Sequence, residues 1–375
     1  MQAKPLLTIL VAALPFGVIA CTETTSPTTP LRADLVAAPT PTYAITDLGT
    51  LGGESGEARA INNAGAVVGS SATAAGETHA FFWTARDGMT DLGTLGGSTS
   101  GAYAVNDRGH VVGVSEDASG EERPFFWTAS GGMQDLGTFG GGFGEALGIN
   151  DLDQVVGSSR LPDGSIHAFL WTPTGGLVDL ASVIGDNSQT YAITNRQQMV
   201  GGFNFSTAAN DFCAFTIPFL SDLHGDLRNL GELQSPDSDP CGGAFATAMN
   251  DNGVVVGFAE NEAFLPRAFR WTAATGMVDL GTLIGPDGFA TARGVNARGQ
   301  IVGLSSAVVT APNAGGLTID AALWDENGVH DLGSLPGDLG SRAFGINDRS
   351  QIVGRSTSFS LVNRAVLWTP ENLTP

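Results

Sequence analysis

The sequence predicts an all-β fold, and two observations support that prediction: a repeated string and a repeated order of short apolar segments. The string "DLGTLGG" occurs at residues 47–53 and 91–97, and related strings begin at residues 135, 179, 229, 279 and 331. Each is followed by the same series of segments, which in the first copy are "EARAIN", "VVGS" and "HAFFWT". These segments have the length and the β-branched or aromatic content of strands, and turn strings such as "NDRG" separate them. No run keeps a helical period for three turns, so the chain consists of repeats of four short strands.

The repeats favour a seven-bladed β-propeller with four-stranded blades. Successive strings start 44 to 52 residues apart, which is the size of one blade. The final unit has only three strands, ending at 364–370, whereas the strand "TYAITDLG" at 42–49 precedes the first complete unit. We therefore expect the N-terminal strand to complete the last blade, which removes both free edges of an open array. The alternative is a β-solenoid, which needs terminal caps that the sequence lacks.

Two positions recur in nearly every unit, and both predict a structural role. The Asp of "DLG" is expected to accept backbone N–H groups at the turn into the next unit, where Gly permits positive φ. The six tryptophans share one position of the third strand and are expected to wedge between blades. The acidic position holds Asp47, Asp91, Asp135, Asp179, Asp279 and Asp331, with Asn229 in the remaining copy. The tryptophans are Trp83, Trp127, Trp171, Trp271, Trp324 and Trp368.

Metal binding is the alternative role for the repeated Asp. No EF-hand spacing and no His or Cys cluster accompanies it, so the sequence predicts no metal and no cofactor, and calcium lacks support. In the first strand of each unit small residues alternate, as at Ala58 and Ala60, and a period of two predicts that they share one face. Axial strands dominated by Ala and Gly argue against an enzyme, and no catalytic residue is predicted.

The N terminus predicts an export signal and a tether. Residues 1–21 combine a positive start, a short apolar run and small residues before Cys21, as in a secretory signal. The ending "VIAC" resembles a bacterial lipobox, which implies lipid attachment to Cys21; an ordinary cleaved signal is the alternative. By the same resemblance, Thr22 favours the outer membrane or cell surface. Residues 22–42 are rich in Thr and Pro and predict an extended tether, and residues 43–375 form a single repeat domain.

Charge and cysteine content narrow the possible partners. Acidic residues outnumber basic residues 38 to 17, and Lys4 in the leader is the only lysine. Loss of the leader therefore makes the formal net charge of −21 one unit more negative. Such a surface repels phosphate backbones, so we expect no nucleic acid partner, and contact with a membrane only through the lipid anchor. Cys213 and Cys241, in and beside the least regular unit, predict a disulfide in an oxidising envelope.

Loops of unequal length predict a ligand-binding face. The loops after the second strand and the connections from the fourth strand to the next unit vary in length, and both classes emerge on the same face of an up-and-down blade. Acidic and aromatic side chains of this face suit a protein or carbohydrate partner, whereas a merely solvated acidic rim is the alternative. The predicted face contains Glu116, Asp117, Asp163, Asp186, Glu260, Glu262, Phe143, Phe205, Phe264 and Phe289.

The strings "THAFFWT" at 78–84 and "IHAFLWT" at 166–172, beside "AINNAGAVVG", resemble the extracellular HAF-repeat family, which is named for its His-Ala-Phe triplet. The resemblance covers nearly everything from 43 to 370. It implies an exported repeat protein of unassigned function and carries over no catalytic residue. Other units place different residues at the His position, so imidazole chemistry is not a property of the repeat.

Two functions follow from these expectations. The first is a lipid-anchored, non-catalytic propeller that presents a binding face for protein or glycan at the cell envelope. The second is a propeller enzyme, a hydrolase or lyase with a site carried by loops at the channel mouth. Fold alone does not decide between them.

Overall fold

A computed structural model describes residues 42–205, 215–233, 243–308 and 316–371. Cys21, Cys213 and Cys241 lie outside the described residues, and so do the predicted signal and nearly all of the tether. The described residues belong to one compact unit, residues 40–375. The single described helix, α1 (Ala181–Ile184), has one turn, and none of the described helices has the length and apolar character of a membrane span.

The described chain is a succession of short antiparallel strands. The first group consists of β1 (Tyr43–Asp47), β2 (Gly52–Ile61), β3 (Val67–Thr73), β4 (Thr78–Thr84) and β5 (Gly88–Asp91). There follow β6 (Gly96–Val105), β7 (Val111–Asp117), β8 (Glu122–Thr128), β9 (Gly132–Asp135), β10 (Gly144–Ile149), β11 (Val155–Arg160), β12 (Ile166–Thr172) and β13 (Gly176–Asp179). The middle of the chain contains β14 (Ser188–Ile193), β15 (Gln198–Phe205), β16 (Phe215–Asp222), β17 (Leu227–Asn229), β18 (Ala244–Met249), β19 (Val255–Glu260), β20 (Pro266–Thr272) and β21 (Gly276–Asp279). The last strands are β22 (Ala290–Val295), β23 (Ile301–Val308), β24 (Leu317–Asp325), β25 (Gly328–Asp331), β26 (Asp338–Ile346), β27 (Ile352–Ser358) and β28 (Asn363–Pro370).

These strands form four-stranded meanders. Strands β10–β13, β14–β17, β18–β21 and β22–β25 are separate sheets in sequence order. Strands β2–β5 and β6–β9 follow the same order, and one parallel pair, Thr78 with Thr99, joins them into a larger sheet. The last sheet has the order β1-β28-β27-β26, because β1 pairs antiparallel with β28 from Tyr43 opposite Pro370 to Asp47 opposite Val366. The prediction of an all-β fold with four-stranded sheets is confirmed.

The "VVG" string determines how the first two strands of each unit meet. A Cβ atom at Gly69 of β3 would lie 2.0 Å from the carbonyl oxygen of Glu57 in β2, so only Gly fits there. The same contact, at 2.0 Å or less, recurs at Gly113, Gly157, Gly201, Gly257, Gly303 and Gly354. Immediately after this close approach, the register of β2 shifts between Ala58 and Ala60, as in a β-bulge.

The bulge overturns the prediction that the small residues of the first strand share one face. Ala58 is opposite Gly69 and Ala60 is opposite Val68, so the two alanines pair with adjacent residues of β3 and face opposite sides. Ala58 packs with Val353 of β27, whereas Ala60 packs with the cluster around Ala102 of β6. The apolar cores thus lie between neighbouring units, and one small residue faces each neighbour.

Candidate functional site

One residue in each first strand is released from the sheet by the bulge. A bulge leaves an extra residue without a partner and redirects its side chain. The same register shift occurs in β2, β6, β10, β14, β18, β22 and β26. The released residues are Arg59, Tyr103, Leu147, Tyr191, Thr247, Arg293 and Phe344.

All the released residues line one cavity of about 290 Å³, together with Glu145. Each first strand contacts the first strand of the next unit, and β26 contacts β2. The flanking positions repeat a small residue, yet the residue between them differs in charge, size and polarity from unit to unit. The fold does not fix the identity of the released residue, and the released residues of all units meet at one cavity. A repeat protein can build a specific site at such a place.

Beside the cavity, two arginines form ion pairs with the same carboxylate. Glu57, only 8% exposed, forms ion pairs with Arg59 and with Arg355 of β27. The guanidinium carbon of Arg59 lies 5.1 Å from the ring centre of Phe344 and 5.7 Å from that of Tyr103. These are cation–π distances, so the rings fix the arginine as well as line the cavity.

Two further arginines of this region have no anionic partner. Arg293 and Arg342 form no hydrogen bond or ion pair with the described residues, and Arg293 remains open to the cavity. Loss of bulk water lowers the pKa of Arg293, and the positive charges of Arg59 and Arg342 lower it further. Burial, and then the charge of Arg355, lowers the pKa of Arg342 in the same way. In both cases burial is the larger cause, the charge of Glu57 acts in the opposite direction, and Arg293 is exposed.

Two tyrosines and one carboxylate also line the cavity. Burial raises the pKa of Tyr191 to about 12, and its hydroxyl donates to Gln189 Oε1 at 2.7 Å. The pKa of Tyr103 is raised by the same cause. Burial also raises the pKa of Glu145, although Ser158 Oγ donates to its carboxylate at 3.2 Å. Glu145 is the carboxylate that lines this cavity, and its charge acts on both tyrosines.

A series of hydrogen-bonded asparagines lines a separate cavity at the ends of the first strands, which we call the asparagine mouth. Asn62 Nδ2 donates to the carbonyl of Asn106 at 2.9 Å, and Asn347 Nδ2 donates to the carbonyl of Asn62 at 3.0 Å. The equivalent bonds are Asn106 to Asn150, Asn150 to Thr194, Asn250 to Asn296 and Asn296 to Asn347. The next layer places the carboxylates of Asp107, Asp151, Asp251 and Asp348 at the same mouth, each accepting a backbone N–H from the preceding unit.

The "DLG" position forms the same turn in every unit. Asp47 Oδ1 accepts the backbone N–H of Gly49 at 2.9 Å, and Gly49 has a φ of 78°. Bonds of 2.7 to 2.8 Å follow at Asp91, Asp135, Asp179, Asn229, Asp279 and Asp331. These are Asx-turns, which need only a side-chain oxygen, and Asn229 provides one as well as Asp does.

The second oxygen of the same Asp often binds a cation from the third strand. His79 Nδ1 lies 2.8 Å from Asp91 Oδ2, and Arg267 Nε donates to Asp279 Oδ2 at 2.9 Å. His167 and Asp179 form the equivalent pair at 2.9 Å. The His of the "HAF" triplet thus has a structural partner across the β-ladder.

The tryptophans lie in the cores between units. Trp368 is fully buried and donates from Nε1 to the carbonyl of Leu332 at 3.0 Å. Trp324 packs with Val256 and Ala268 of the preceding unit. Trp83, Trp127, Trp171 and Trp271 occupy the corresponding clusters.

The residues of the predicted binding face are spread over separate loops rather than gathered in the cavity. Hydrogen bonds do join the two classes of loop, as from the N–H of Arg160 to the carbonyl of Phe143 at 3.0 Å. Phe143 lies under Arg160, 5.2 Å from its guanidinium carbon, and Phe264 is 52% exposed. Glu262 and Asp186 are exposed, while Glu260 and Phe289 are half-buried, and the side chain of Phe205 lies outside the described part.

Several acidic groups of this face bind within their own loops. Asp117 Oδ1 accepts the N–H of Ser119 at 2.8 Å, and these bonds lower the pKa of Asp117. Glu116 accepts Ser98 Oγ at 2.8 Å, and Asp163 accepts the N–H of Ser165 at 3.0 Å, which lowers the pKa of each carboxyl. Such carboxylates shape their turns and are less free to bind a ligand.

Sequence reasoning missed the cavity residues because it took the axial strands to be Ala and Gly. The released residue stands between two small residues in nearly every unit, as Arg59 does between Ala58 and Ala60. Its variation within an otherwise regular repeat was the available signal. The bulge that directs it into the cavity depends on the partner strand.

Comparison with known proteins supports the architecture. No protein-family profile matches the chain, and no curated protein matches it. The β-propeller domain of the Trilobed protease from Pyrococcus furiosus, described as having an open velcro topology, is similar in structure with a TM-score of 0.54 at 8% identity. The match covers 84% of this chain and 95% of that one.

A second similar structure is the acylaminoacyl peptidase of Pyrococcus horikoshii, with a TM-score of 0.50 at 9% identity over 87% of this chain and 54% of that chain. TolB from Acinetobacter baumannii has a TM-score of 0.40 at 10% identity, covering 78% and 76%. At such identity the similarity shows the fold alone. The chain is a β-propeller.

Proposed function

We propose that the chain is a seven-bladed propeller that β1 closes, and that it serves as an exported, lipid-anchored, non-catalytic binding protein at the cell envelope. Three observations support closure: the pairing of β1 with β28, the contact of β26 with β2, and the bond from Asn347 to Asn62. Closure would bury the edge of β28 that an open array exposes.

An engineered disulfide tests the closure. Ala44 and Thr369 lie opposite each other in the β1–β28 register, so Ala44→Cys with Thr369→Cys should form a bond. Because it ties a loop of more than 300 residues, it should stabilise the fold by up to about 5 kcal/mol. Peptide mapping would identify the linkage, and Ala44→Cys with Leu361→Cys is an off-register control. An absent 44–369 linkage would show that β1 does not complete the last blade.

Export and lipid attachment rest on the leader and on the resemblance to the HAF-repeat family. Cys21→Ser should move the mature chain from the membrane fraction to the soluble fraction, because stable anchoring needs acyl chains. Metabolic labelling with a fatty acid would follow the modification. Equal labelling of the variant and the native chain would exclude Cys21 as the attachment site.

The binding role depends on one observation: the bulges direct non-repeating side chains into a shared cavity. Ligand pockets combine aromatic walls with a few placed polar groups, and this cavity has both. The partner is a glycan or a protein, which reaches the cavity from the face carrying the varied loops. A glycan and protein array with the full chain tests the role. Binding that survives changes at the released residues would place the site elsewhere.

An enzyme is the second candidate, and Glu145 favours it. Glu145 is half-buried and its pKa is raised, and such a carboxyl is suited to donate a proton. The two Pyrococcus proteins are named as a protease and a peptidase, but this chain spans only 54% of the second. Turnover of a screened substrate that Glu145→Gln abolishes would establish the enzyme and overturn the binding role.

A further inference from the structure

Arginines are concentrated at one part of the cavity, where Arg59 and Arg293 line it and Arg342 lies on the strand between theirs without lining it. Arg293, Arg342 and Arg59 lie on β22, β26 and β2, three first strands that contact one another in that order. We call these three residues the cationic arc. Tyr103 and Tyr191, on β6 and β14, also line the cavity, as does Glu145, and the Tyr103 ring lies 5.7 Å from the guanidinium carbon of Arg59.

The cationic arc is a concentration of positive charge in an acidic protein. The chain has 17 basic against 38 acidic residues, yet Arg355 joins the three arginines of the arc beside the cavity. Glu57 is shared by Arg59 and Arg355, so one carboxylate serves two guanidinium groups. Arg355 Nε is also buried without an acceptor among the described residues. The local charge therefore remains positive.

Placing like charges together without an anion costs stability. Arg293 is near enough to Arg59 and Arg342 for both to lower its pKa, and neither Arg293 nor Arg342 pairs with a described carboxylate. An external anion that binds in the cavity would compensate the charge of Arg293. A guanidinium group presents a planar set of donors that matches a carboxylate in two parallel bonds.

We propose that the cavity binds an acidic saccharide, whose carboxylate pairs with Arg293 and whose sugar ring lies against the aromatic rings that line the same cavity. The inference rests on the proposed binding function and specifies its ligand. The cavity volume of about 290 Å³ is at the small end of ligand pockets, which fits one or two sugar rings.

The asparagine mouth and the loop face differ in how their charges would act on an anion. Asp107, Asp151, Asp251 and Asp348 surround the asparagine mouth and repel an anion. On the loop face, Asp117 is paired with Arg123, and Glu116 is held by Ser98. Remaining rim charges are screened beyond about 8 Å at physiological ionic strength. The ligand therefore enters from the loop face.

Calorimetric titration of the full chain in detergent with digalacturonate tests the proposal. The native chain should bind it, and the neutral dimethyl ester should bind about tenfold more weakly or worse. Arg293→Gln removes the charge while keeping similar length, and it should weaken digalacturonate binding by about tenfold or more. Arg196→Gln, the same change at an exposed arginine outside the cavity, should leave binding unchanged.

Thermal unfolding provides a second readout. Without ligand, Arg293→Gln should melt at or above the native temperature, because it removes an uncompensated charge. Digalacturonate should raise the melting temperature of the native chain and not that of the variant. This pair of results separates loss of the site from loss of folding.

Three outcomes would overturn the proposal: no binding of digalacturonate, native affinity in Arg293→Gln, or inorganic sulfate binding as tightly as digalacturonate. A neutral glycan or a protein that still binds in the array would then leave the broader binding function standing. Turnover of a screened substrate without a stable complex would overturn both the saccharide proposal and the broader binding function.

Discussion

Asp320 occupies the position that His or Arg holds in other units. Its carboxylate therefore repels the Asp of the "DLG" turn, whereas a basic side chain at this position attracts it. In the first unit His79 faces Asp91, and in another Arg267 faces Asp279. In β24, Asp320 lies close enough to Asp331 for that charge to act on it. Burial first, and the charge of Asp331 second, raise the pKa of Asp320 from 3.8 to about 6.

This shift determines how stability depends on pH. The pKa is higher in the folded chain than in the unfolded chain, so the folded chain binds the proton more tightly. The stabilisation is complete below about pH 4 and is lost as the pH rises through about 6. A two-unit shift corresponds to about 3 kcal/mol, and the half-buried position of Asp320 reduces this to roughly 1 to 2 kcal/mol. Asp320→Asn should therefore stabilise the protein by that amount at pH 8 and have little effect at pH 4.

Urea unfolding of both proteins between pH 4 and pH 8 measures the difference. Asp331→Asn should stabilise as well, because Asn keeps the turn, as Asn229 does, and removes the repelling charge. The identical change at the equivalent position, Asp279→Asn, should destabilise, because Arg267 loses its counter-ion. Equal effects of Asp331→Asn and Asp279→Asn, or a difference that does not vary with pH, would refute the account.

Three further predictions concern packing. Trp368→Ala should lower the free energy of unfolding by about 3 to 5 kcal/mol, whereas Trp83→Ala, at a partly exposed site, should cost less; chemical denaturation compares them. Asn347→Ala should cost about 2 to 4 kcal/mol by the same measurement, because it removes the bonds to Asn62 and Gln351 and the two backbone N–H bonds that Asn347 Oδ1 accepts, and an unchanged stability would contradict that role. Gly148→Ala should lower the melting temperature, because its Cβ would lie 2.8 Å from the carbonyl of Tyr191, and native melting would show that neighbouring units are further apart.

The sequence was informative wherever one residue and its near neighbours determine the structure. The Asx-turn at Asp47 needs a side-chain oxygen and a Gly two residues later, and both are visible in "DLG". Strand length and turn chemistry in the same way predicted the four-stranded sheets. The cavity could not be predicted, because the direction of Arg59 depends on how closely Gly69 lets β3 approach β2. The register between two strands cannot be inferred from the sequence of one strand alone.

In each first strand the bulge gives different roles to neighbouring residues. The two flanking small residues pack into the cores, and the released residue between them is available for binding. Ala58 and Ala60 pack into two different cores, so neither can grow without displacing a neighbouring unit. Arg59, between them, is unpaired in the ladder and points to the shared cavity, so its identity is limited mainly by its cavity neighbours. The repeated units can in this way present five different residue types at seven positions without any change in the surrounding strands. The β-bulge therefore allows the strands to repeat while the released residue varies. For this reason the cavity residues do not belong to the repeated strings.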